Sequence, residues 1–80
     1  MEMLKDAPRK VVGTKQVLRA IKSGSLSRVY VANDADTYLY QRVVTAAEAA
    51  GLPTVRVASM KELGAACGVE VKAAAAGIER

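Results

Sequence analysis

From Thr14 to Val57 the chain switches twice from a helical spacing of apolar residues to a short β-branched run, and this alternation restricts the fold more than any other feature. Val17, Leu18 and Ile21 fall at i, i+1 and i+4, one apolar stripe on a helix from about Thr14 to Ser23, with Thr14 as expected N-cap and Gly24 as stop. Arg28-Val29-Tyr30-Val31-Ala32 is too short for a helix and suits a buried strand. Asn33 to Thr37 reads as a loop that delivers an N-cap, after which Leu39, Val43, Ala46, Ala47 and Ala50 recur at helical spacing until Gly51. Pro53 forces an extended approach to a second strand, Thr54-Val55-Arg56-Val57. Ser59-Met60-Lys61-Glu62 fits a capping box and opens a third helix, with Met60, Leu63 and Cys67 on its apolar side and Gly68 at its end. The segment Val69 to Ile78 is ambiguous. Its four consecutive alanines favour helix; Val69, Val71 and the need for sheet partners other than Lys10 to Val12 favour strand, which is the reading taken. Strands alternating with amphipathic helices give an α/β domain, with a mostly parallel or mixed sheet and helices on both faces. Eighty residues make one such domain, spanning 1–80.

Phe and Trp are absent and Tyr30, Tyr38 and Tyr40 are the only aromatics, so the core must be close-packed from aliphatic and small side chains. A domain this short buries a modest share of its surface and has no disulfide to compensate, which makes its stability marginal. The lone Cys67 and the lack of an apolar stretch in Met1 to Asp6 lead us to expect a cytoplasmic protein. The longest apolar runs, Val29 to Ala32 and Ala73 to Ala76, fall far short of the ~20 residues that span a bilayer, so no membrane partner is expected.

Charge is unevenly spread. Residues 1–28 carry Lys5, Arg9, Lys10, Lys15, Arg19, Lys22 and Arg28 against Glu2 and Asp6, a net +5 in a chain whose total is +4. An anionic partner for this first third is one reading, a solvated face the other. Lys15, Arg19 and Lys22 lie at i, i+4 and i+7 on one face of the first helix, and that helix offers its N-terminal N–H groups at Gly13-Thr14 to a phosphate.

The chain has no histidine, which excludes Ser-His-Asp and Cys-His mechanisms and the commonest zinc sites; no metal or cofactor is expected. Gly13-Thr14-Lys15 lacks the earlier glycine and the Gly-Lys-Ser/Thr order of a nucleotide loop. Cys67 near a helix end reads as core, and Asp34 and Asp36 before a helix read as caps. With few aromatics, the sheet-stacking and strand-stacking modes of single-strand recognition fit poorly, and structured RNA read by helix and loop fits better.

Gly13-Thr14-Lys15-Gln16, the loop Ala32-Asn33-Asp34-Ala35-Asp36 and Leu63-Gly64-Ala65-Ala66-Cys67-Gly68-Val69-Glu70-Val71 closely resemble the L7Ae/L30e family of ribosomal proteins, nearest to its short bacterial members. The resemblance runs from about Arg9 to Ile78 and implies a three-layer α/β/α sandwich around a four-stranded mixed sheet. It also implies binding to kink-turn RNA, a sharply bent duplex with tandem sheared G·A pairs. By position, Lys15 and Gln16 would contact base edges, Arg19 base or phosphate, and Gly13 and Thr14 would let the backbone approach. Lys22 extends that cationic face. Val69-Glu70-Val71 would cover a flipped-out nucleotide, and Asp36 and Tyr40 match positions lining the same pocket in some relatives. Archaeal and eukaryotic members usually carry Asn-Glu where this chain has Lys15-Gln16, Pro where it has Thr37, and in some cases Lys where it has Met60. The expectation is thus a monomeric, non-catalytic RNA-binding protein associated with the ribosome. Two competing readings are an adaptor that docks another protein on Ala46, Ala47 and Ala50, and a small enzyme using Cys67 or the Asp34 and Asp36 pair.

Overall fold

The computed structural model describes Ala7 and residues 9–80. The readings drawn from Met1 to Asp6, including the charges of Glu2, Lys5 and Asp6, lie outside the described residues. Seven elements follow in order: β1 (Lys10–Val12), α1 (Thr14–Ser23), β2 (Leu26–Ala32), α2 (Thr37–Ala49), β3 (Thr54–Val57), α3 (Met60–Cys67) and β4 (Ala75–Glu79). They form the α/β fold expected, a four-stranded mixed sheet in the order β1-β4-β2-β3 with three helices. β4 runs antiparallel to both of its neighbours, and β3 is parallel to β2.

Each strand alternates its side chains between two clusters. On β2, Val29 and Val31 face the cluster under α1 and α2, which holds Val17, Ile21, Val43 and Ala47, while Tyr30 and Ala32 face the cluster under α3, which holds Leu63, Cys67 and Ala73. The helices therefore form two outer layers, with α3 alone on its side. The core is built from small pieces, as the missing Phe and Trp require; its largest fully buried side chains are leucines and valines. No buried side-chain nitrogen or oxygen among the described residues lacks a hydrogen-bond partner. Among the described residues no helix is long and apolar enough to cross a membrane.

The ambiguous tail resolves in two parts. Ala75 to Glu79 is strand, and residues 69–74 are a loop. The alanines leave their preferred helix because β1 and β2 each offer a row of backbone partners, so β4 pairs on both sides, with Val12↔Ala76 on one and Tyr30↔Ala76 on the other. Their lack of bulk suits a central strand: Ala75 and Ala76 are fully buried between the helical layers. β2 starts two residues before the expected Arg28, at Leu26, whose side chain is fully buried beyond the polar Ser25 and Ser27.

β1, β2 and β3 all run in the same direction, and each is followed by a helix. The N-termini of the three helices consequently gather at one end of the sheet, beside the start of β4. Three backbone bonds tie this end together: Gly13 N–H to the Ala75 carbonyl (2.9 Å), Ala32 N–H to that of Ala74 (2.9 Å) and Asn33 N–H to that of Val57 (2.7 Å).

Candidate functional site

At that shared end, two of the three helices are closed by side chains. Asp36 caps α2, accepting from Tyr38 N–H at 3.0 Å and Leu39 N–H at 3.3 Å. Ser59 accepts from Glu62 N–H at 3.1 Å at the start of α3. Among the described residues only this serine half of the expected capping box forms; Asp34, reaching across from the loop after β2, supplies an acceptor to a further first-turn donor, Met60 N–H, at 2.7 Å. Asp36 thus caps the helix that follows it, as its place in the sequence suggested, while Asp34 bonds the start of α3 and not of α2.

The start of α1 is different. Thr14 is not the N-cap; the position belongs to Gly13, with φ 108° and ψ 145°, and no side chain caps the first turn, which also holds no acidic residue. Backbone of this kind is nearly restricted to glycine. A Cβ on Gly13 would also stand 2.6 Å from Oε1 of Gln16, which folds back over the turn. The threonine hydroxyl is not used because the glycine turn already sets the entry into the helix, with Val17 N–H closing on the Gly13 carbonyl at 2.9 Å. What remains is a helix N-terminus with its partial positive charge open to an anion and cationic side chains beside it.

Lys15, Gln16, Arg19 and Lys22 are exposed, while Val17, Ala20 and Ile21 on the same helix are buried. Lys15, Gln16 and Gly13-Thr14 occupy the shared end and Arg19 lies one turn along. Lys22 is in the last turn of α1, about 10 Å from Lys15 along the helix axis, and so does not join them.

The loop 69–74 runs back along α3. Val69 N–H bonds to the Gly64 carbonyl and Ala73 N–H to that of Met60, each at 3.1 Å. Its backbone lies so close to α3 that a Cβ at Gly64 would sit 2.1 Å from the Val71 carbonyl oxygen. Gly64 is therefore the residue that seats this loop. Val69 is half-buried against the α3-side cluster, Glu70 is exposed, and Val71 is 71% exposed, the most open large apolar side chain among the described residues. Lys61 and Lys72, which the sequence reading did not single out, line a shallow cleft with Ala65 and these three loop residues. Lys72, directly after Val71, was the available signal.

Asp36 sits at the shared end, but Tyr40 packs on the α1 and α2 side of the sheet and accepts from Arg56 Nε on β3 at 2.5 Å. It is thus on the opposite face of the sheet from Val69. Cys67 is buried among the α3-side cluster, and burial pushes its thiol pKa up against a smaller pull down from Lys10. Such a thiol is a packing group and a poor nucleophile. Of the alanines considered as a docking face, Ala47 is fully buried in the core and Ala50 is the C-cap of α2, so the three do not form one surface.

A family model described as the ribosomal protein L7Ae/L30e/S12e/Gadd45 family matches residues 1–80. The chain is 46% identical over 79 residues to an "RNA-binding protein" of Geobacillus thermodenitrificans, a match covering 99% of this chain and 96% of the relative. The same figures hold for "RNA-binding protein YbxF" of Geobacillus stearothermophilus. Among solved structures, the Giardia lamblia 15.5kD RNA binding protein superposes with a TM-score of 0.88 at 28% identity, over 99% of this chain and 69% of that one.

Proposed function

The chain belongs to the ribosomal protein L7Ae/L30e/S12e/Gadd45 family, and on that premise we propose that it is a non-catalytic protein that binds structured RNA at kink-turns. The observation that carries the reading is the start of α1, where Gly13 leaves the first turn uncapped with Lys15 and Gln16 exposed beside it. In this reading the α1 N-terminus enters a major groove widened by the bend. Lys15 and Gln16 meet base edges there, since cations and amides are the groups that read guanine and adenine, and Arg19 holds phosphate. Val71 and Val69 cover an unstacked nucleotide from the loop, Lys22 adds to the long-range field, and Asp36 bounds the region from the start of α2, whereas Tyr40, on the other face of the sheet, takes no part in that pocket. The 46% identical relatives named as RNA-binding proteins support the ligand class.

The test is a titration of a kink-turn duplex and of a plain duplex of equal length at several salt concentrations. Tighter binding to the kink-turn at every salt is expected, with affinity for both falling as salt rises. Equal binding to the two duplexes would remove the kink-turn specificity, and no binding at low salt would remove RNA binding altogether. The reading includes a monomer that works in the cytoplasm in association with the ribosome. Sedimentation of the protein alone, and of cell extracts resolved into ribosomal and free fractions, tests both points.

A further inference from the structure

We propose that the groove between α1 and α2 is a second RNA-contacting surface, which stacks one unpaired nucleobase from a strand running beyond the element held at Gly13 to Gln16; it rests on the reading above. Tyr38 is the observation that leads to it. In a chain with three tyrosines, Tyr30 is buried and Tyr40 is half-buried and bonded to Arg56, but Tyr38 is 66% exposed in the first turn of α2. The Arg42 guanidinium stands 5.7 Å from its ring centroid. The guanidinium stands over the ring, so the two make a cation–π pair in a shallow groove that Leu18, Ala46 and Ala49 also line.

Charge points to a polyanion as the occupant. No carboxylate is among the residues that line the groove. On α1, Lys15 and Lys22 lie three residues before and four after Leu18, which puts them on the same side of that helix. Position points to the same RNA. α2 begins at the end of the sheet where α1 begins, so a strand leaving the Gly13 turn toward α2 meets Tyr38 before the rest of the groove. A base laid on the ring gains stacking that any of the four bases supplies, the Arg42 N–H groups remain able to meet its phosphate, and Gln41 and Thr45 offer polar edges farther in. One exposed aromatic suits one base and not a tract.

The experiment compares a blunt kink-turn duplex with the same duplex carrying a short unpaired extension, on either strand, with 2-aminopurine as its first base. A free single strand bearing the same base is titrated in parallel, so the groove is read whether or not the duplex binds. We expect one of the extended duplexes to bind roughly tenfold tighter than the blunt one, with its 2-aminopurine fluorescence quenched. Tyr38→Ala should abolish both the gain and the quenching while leaving affinity for the blunt duplex unchanged, and Tyr38→Phe should keep both. The proposal is overturned if extension adds nothing in either polarity, or if gain and quenching survive Tyr38→Ala. A protein occupant of the groove would give that second pattern or the first. Loss of blunt-duplex binding in the parent protein would instead overturn the kink-turn reading, with the single strand still reporting on Tyr38.

Discussion

Lys15 and Arg19 are exposed, one turn apart and equally charged, yet their removal should be read differently in binding experiments. If Lys15 meets base edges as proposed, Lys15→Ala should weaken kink-turn binding by about 1–3 kcal/mol and narrow the preference over a plain duplex. If Arg19 holds phosphate as proposed, Arg19→Ala should weaken both duplexes together and flatten the slope of log affinity against log salt by about 1. If neither substitution changes affinity in a protein with unchanged circular dichroism, α1 is not the binding surface. For the loop, the residue to replace is Val71 and not Val69. Val69 packs on the α3-side cluster, so a charge there confuses contact with unfolding. Val71→Asp places the charge on an exposed side chain, and binding should fall sharply while the melting temperature holds. Unchanged binding by Val71→Asp would free the loop of any part in RNA contact.

Elements carry the next set of expectations, because caps and seats act on whole helices and loops. Gly64→Ala sets a methyl group against the Val71 carbonyl, and backbone cannot yield as a flexible side chain can. The loop should lift from α3 at a cost of about 1–3 kcal/mol, visible in thermal unfolding, with RNA affinity reduced in protein that remains folded. Asp34→Ala should destabilise by about 0.5–2 kcal/mol through loss of the acceptor at Met60 N–H, although Asp34 lies in a loop far from α3 in sequence. That cross-element bond marks the boundary of what sequence could tell. The bounds of α1 and β3, the Asp36 and Ser59 caps and the helical stripes were legible, since each depends on residues a few positions apart. The Gly13 cap in place of Thr14 was not, because the choice rests on a backbone angle that glycine permits but does not announce. Nor was the division of Val69 to Glu79 into loop and strand, since the alanines take strand only when β1 and β2 lie on both sides. Lys15, Gln16 and Arg19 could be placed on a helix face from spacing alone, but the bond from Gly13, just before that helix, to Ala75, just after the 69–74 loop, comes from the strand order.

At the scale of the whole molecule, Cys67 is a built-in reporter. Its thiol is buried and its pKa raised by desolvation, so alkylation should proceed only as fast as the domain opens, and bound RNA should slow it by mass action. Labelling at the rate of an exposed thiol would mean that the α3 side is open in solution. The raised pKa also fixes the sign of an alkaline effect. The folded thiol keeps its proton to higher pH than the unfolded one, so its stabilising contribution is present below the unfolded pKa and drains away as pH climbs toward the folded value. Strand order has a consequence for synthesis. Of the four strands of this sheet β4 is the last to be synthesised, and it belongs in the middle, between β1 and β2. Until it arrives, β1 has no partner and the two outer layers share only the β2-β3 pair, so the nascent chain can hold little more than that pair with its helices. Folding should therefore be completed abruptly once β4 emerges, and a nascent chain stalled with β4 still in the exit tunnel should remain open to proteases around β1.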